Sequence, residues 1–247
     1  MLPLADPVSI RDEVARLVER LQDARDDARR SDPAQEPSEQ QRLTDALANV
    51  LDALQQRERG TDTGQGGPEP TLGDLGDHAI DLLARLAAIA RRMQLHTEAD
   101  ALDRLTLPLA CCVARGGGEL THIGPVVDAA AVLADALRDP AELAVLFRMT
   151  DDVFHAVSPR VSDAQAGSQG QRAWRLLIIN RAIIATRTHQ PALMESAFST
   201  LIEQAPDDAA RFFRERMEQM EALDYPAAVR IVMERYYDAQ TGGRRLH

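Results

Sequence analysis

The sequence predicts an all-α protein built of antiparallel helical hairpins, its C-terminal half a short helical-repeat stack or an irregular bundle. Three observations carry that prediction. Apolar residues recur at steps of three and four along most of the chain, which is the period of one helix face. Prolines, glycines and short polar side chains interrupt those runs where helices start and stop. Three segments also open on Pro-Ala and then repeat one apolar stripe at the same spacing. About nine or ten helices follow from these periods.

The first hairpin is read over residues 1–59. Ser9 with Asp12 makes a capping-box-like start. Ile10, Val14, Leu17 and Leu21 then form one narrow seam, continued by Ala24 and Ala28. Two prolines in SDPAQEPSEQ break the helix, Ser38 caps the next, and Leu43, Leu47, Val50 and Leu54 repeat the spacing. So narrow a seam is marginal alone and needs a neighbour. Residues 60–73, GTDTGQGGPEPTLG, read as a flexible linker with nothing to bury. The hairpin is therefore expected to be a loosely attached arm whose seam serves self-association or a foreign partner.

The main domain is read over 74–240, with a tail at 241–247. Leu75, Leu82, Leu83, Leu86, Ile89 and Met93 mark an amphipathic helix ending near Leu95. Thr97 opens another capping box, TEAD, and a segment running to Cys112 that Pro108 either kinks or divides. The three glycines at 116–118 end it.

Beyond them, Pro140, Pro191 and Pro226 each precede an alanine and suit the first helical position, where an N–H is dispensable. The stripe that follows is Leu143, Leu146 and Phe147, then Met194, Ala197 and Phe198, then Val229, Val232 and Met233. Each is preceded by another apolar helix, and the last two pairs share an offset of 35 residues. The turn LDYPAAV resembles the inter-helix turn of a tetratricopeptide repeat, with Tyr225 and Ala228 in matching places. The resemblance covers about one repeat, and Arg235 stands where that family has a small residue; it implies stacked helix pairs. All nine aromatic residues lie at or after Phe147, and the stretch 173–187 is apolar nearly all round, so its helix is expected to be the most buried.

Composition narrows the chemistry. The net charge of −11 opposes a surface made to neutralise phosphates or anionic lipid, so neither nucleic acid nor membrane is an expected partner. All 28 basic residues are arginine. Without lysine there is no P-loop and no Schiff-base chemistry. Cys111 and Cys112 are adjacent, so their side chains diverge by about 100° on a helix and do not converge on one ion. The N-terminus lacks the features of a signal peptide and no run approaches the ~18 apolar residues of a span, so the cytoplasm is the expected location.

The strongest acid–base cluster is TDDVFH. Asp151 and His155 are four apart and Asp152 and His155 three apart, so all three can share a helix face, as in one half of a bundle metal site. A second partial copy is Asp74, His78 and Asp81. Asn180 and Arg181 interrupt the most apolar helix. A buried guanidinium needs a partner, for which Asp151 and Asp152 are the candidates, or else it is aimed into a pocket for an anion.

The segment IARRMQLHTEADALDRL has a helix-turn-helix outline, but Gln94 replaces the turn glycine, and Glu98, Asp100 and Asp103 would face phosphate. The expected function is a non-catalytic scaffold or adaptor binding another protein or itself, without a cofactor. The alternative is a metal-binding bundle or enzyme using the Asp/His cluster, and a DNA-binding regulator comes third.

Overall fold

A computed structural model describes residues 6–29, 39–58, 70–165, 167–222 and 225–242. These residues form twelve helices: α1 (Pro7–Arg29), α2 (Glu39–Glu58), α3 (Leu72–Arg92), α4 (His96–Arg104), α5 (Thr106–Arg115), α6 (Gly124–Ala136), α7 (Pro140–Ala156), the short α8 (Pro159–Ser162), α9 (Gln169–Arg187), α10 (Pro191–Gln204), α11 (Pro206–Ala222) and α12 (Ala227–Gly242). The described residues contain no strand, only an isolated parallel bridge between Leu120 and Val157. The all-α class is thus the observed one.

Local signals set the helix starts, though not always those expected. Asp6, not Ser9, caps α1: its carboxylate accepts from the Ser9 N–H at 2.9 Å, with Pro7 at the first helical position. Asp139 does the same for α7 ahead of Pro140, accepting from Ala141 N–H at 3.0 Å. Thr97 lies inside α4, which starts at His96 without a side-chain cap. A true capping box stands instead at Thr71 and Asp74, at the start of α3. Ser38 falls outside the described residues. Pro108 belongs to the first turn of a separate helix, α5, where a proline breaks no hydrogen bond. Pro226 is one residue earlier than expected, just before α12.

Helices α1 and α2 run antiparallel, with Arg11 on Asp52 at 2.6 Å and Gln22 donating to Gln41 at 3.3 Å. They do not form a loose arm. Helix α2 packs along α3, where Glu39 meets Arg85 and Arg92, and α1 reaches α4 and α5. All eight seam residues, Ile10, Val14, Leu17, Leu21, Leu43, Leu47, Val50 and Leu54, are buried. The reason is a second apolar row: Val18 and Leu51 are buried beside the seam. That row widens each face beyond what a two-helix contact covers, so a further layer must close it. Of the expected linker, residues 60–69 lie outside the described part.

Helix α3 crosses the end of α5 closely. A Cβ on Gly73 would lie 2.1 Å from the Glu119 carbonyl oxygen, and one on Gly76 would lie 2.5 Å from Val113 Cγ2. The centre of the protein is α5 rather than α9: residues 105–111 are buried without a break, whereas Leu176 on α9 is 48% exposed. Helix α9 packs on α6, α7 and α10. The three expected stripes on α7, α10 and α12 are buried throughout. Phe198, Phe212, Phe213 and Tyr236 interlock, mostly edge to face, where α10, α11 and α12 meet.

Candidate functional site

Helix α7 carries Asp151, Asp152 and His155 on its last turns, and its two aspartates turn to different helices there. Asp151 faces α9. Arg181, projecting from the middle of α9, places Nε and Nη2 at 2.7 and 2.6 Å from the same Asp151 oxygen. Its Nη1 donates to Thr200 Oγ1 and its Nη2 to Ser196 Oγ on α10, each at 3.1 Å. The guanidinium also lies over the rings of Phe147 and Phe154, at 5.1 and 5.0 Å from their centroids. Phe154 in turn stacks on Trp174 at 4.8 Å. The whole forms a strut joining α7 to α10 across α9.

The strut satisfies Arg181 by two independent means. Asp151 neutralises its charge, and hydroxyls take up the remaining donor directions of the fork. The side chain is only 4% exposed. A guanidinium so placed is not aimed into an open pocket.

Asp152 turns the other way. Arg115, at the end of α5, holds it at 2.8 Å through Nε and Nη2. His155 stands at the surface, 70% exposed, with Nε2 3.8 Å from Asp151. Arg115, Asp152 and His155, together with Glu119, line a shallow cleft of about 280 Å3. Asn180 points to the opposite side of α9, its amide 3.4 Å from the Val127 carbonyl on α6. The structure therefore joins Arg181 to Asp151, sets Asp152 and His155 together on the cleft beside Arg115, and leaves Asn180 apart, against α6.

The second partial Asp/His copy is also dispersed into local roles. Asp74 accepts from Thr71 N–H and hydroxyl at 2.9 and 2.7 Å, and the Thr71 hydroxyl foremost holds its carboxyl below the usual range. Asp81 faces Arg85, and His78 is exposed. Among the described residues, no group of three or more His, Cys, Asp or Glu side chains is placed to hold a metal ion.

Cys111 is buried and donates to the Met149 carbonyl at 3.4 Å, and burial pushes its thiol up to about 12. Cys112 is half-buried on the wall of another cleft.

Two charged arrangements had no sequence signal. Asp77 on α3 accepts from the Thr121 and His122 backbone N–H groups at 3.0 and 2.9 Å, latching the loop after α5. Asp208, buried at the start of α11, pairs with Arg175 of α9 at 2.6 Å and with Arg211 at 3.3 Å. The contacts of Asp77 with Thr121 and His122 and of Asp208 with Arg175 join residues more than thirty positions apart, which no local spacing reveals. The helix-turn-helix outline resolves into α3 and α4, with Gln94 at φ +60° taking the place of the glycine. Helix α4 packs against α1, α3 and α6, and its Asp103 pairs with Arg91. Among the described residues, no helix is long and apolar enough to cross a membrane.

Comparison of the chain with models of known families, with curated proteins and with solved structures gives no match.

Proposed function

We propose that this protein is a non-catalytic helical scaffold or adaptor that binds another protein, with the pairs α9–α10 and α11–α12 supplying the contact surface as a short repeat-like stack. One observation supports this above all. The charged groups best suited to chemistry are taken up in holding helices together, Arg181 with Asp151, Ser196 and Thr200, and Asp152 with Arg115. A catalytic group must instead face a substrate in a concave, water-excluding site. The N-terminal seam is buried against the rest of the chain, which leaves the outward faces of the C-terminal pairs as the binding surface of this reading. The test is capture of the tagged full-length chain from its native host at endogenous level, followed by mass spectrometry. One protein recovered in near-equal amount is the expected result.

The bundle-enzyme alternative keeps one point in its favour, the cleft lined by Arg115, Asp152 and His155. At about 280 Å3 it is just below the ~300–1,000 Å3 of ordinary ligand sites. Elemental analysis of the purified protein decides for it if a stoichiometric metal is found and is lost in His155→Ala.

A further inference from the structure

We draw no further inference here: the strongest candidate, the mostly apolar cleft of about 390 Å3 where Pro7 of α1, Leu54 of α2, Leu72 of α3 and Cys112 of α5 meet, carries nothing because nothing in the structure shows what covers it.

Discussion

Arg181 and Asp151 meet at 2.6 Å with unequal burial, the arginine side chain 4% exposed and the aspartate 32%. That inequality sets which partner is the more costly to lose. Removing the aspartate strands a charge in the interior, whereas removing the arginine leaves a carboxylate that water still reaches. Asp151→Leu is expected to destabilise by about 3–5 kcal/mol and Arg181→Met by less, roughly 1–3 kcal/mol. The double variant should be more stable than Asp151→Leu alone. Urea unfolding of the three variants checks this, and equal costs for the two single changes would count against the strut.

A methyl group at Gly73 has no room, since the obstacle is the Glu119 backbone carbonyl and not a side chain that can turn. Gly73→Ala is expected to cost at least 1–3 kcal/mol or so by overpacking. Gly124, in the first turn of α6, has nothing within 4 Å of an added Cβ, so Gly124→Ala should be neutral or stabilising by up to about 1 kcal/mol. The two melting temperatures should therefore move in opposite directions or, at the least, by very different amounts.

Gln94 sits at φ +60° between α3 and α4, a conformation that costs a side chain with a Cβ ~1 kcal/mol or more. It is exposed, and its side-chain oxygen lies 3.3 Å from His96 Nε2. Gln94→Gly is expected to stabilise by about 0.5–1 kcal/mol, the relieved strain exceeding the added freedom of the unfolded chain. Chemical denaturation reads the sign directly.

The two cysteines should behave as different groups. With its thiol at about 12 and its side chain buried, Cys111 holds almost no thiolate from pH 7 to 9. A thiol-specific reagent should thus label one cysteine, Cys112, in the native protein and two after denaturation. Prompt native labelling of Cys111 would contradict its place at the centre of the fold.

The N-terminal hairpin shows how far the sequence could be read. Its two helices and all eight seam positions were legible from apolar spacing, because a helix face repeats every three or four residues whatever it packs against. Its neighbour was not. Val18 and Leu51 each lie one step off the seam, and they convert a two-helix contact into a layer in which α2 packs on α3 and α1 on α4 and α5. Leu17→Asp or Leu47→Asp should consequently unfold the protein's N-terminal layer, at a cost above about 4 kcal/mol, instead of merely changing its oligomeric size. Circular dichroism melts alongside light scattering separate those outcomes.

The candidate site was legible in a similar, partial way. Carboxylates at 151 and 152 and an arginine inside an apolar run announce a buried pair, but which carboxylate faces α9 depends on how α7 rotates against it. Helix α5 gives little signal because the buried run from Thr106 to Cys111 holds small and medium side chains and no aromatic. Large residues are a guide to cores only where the packing leaves space for them. Asp77 and Asp208 act across the fold, and no local pattern encodes that.

As the proposed scaffold, this chain would hold a partner on its C-terminal helix pairs. Hydrogen–deuterium exchange on the complex of the full-length chain with the protein recovered alongside it tests that most directly. Slowed exchange is expected in α9–α12 on binding, unchanged when His155 is replaced by alanine. A chain that recovers no stoichiometric protein, or a complex whose protection lies around Asp152 and His155 and is lost in His155→Ala, would contradict it.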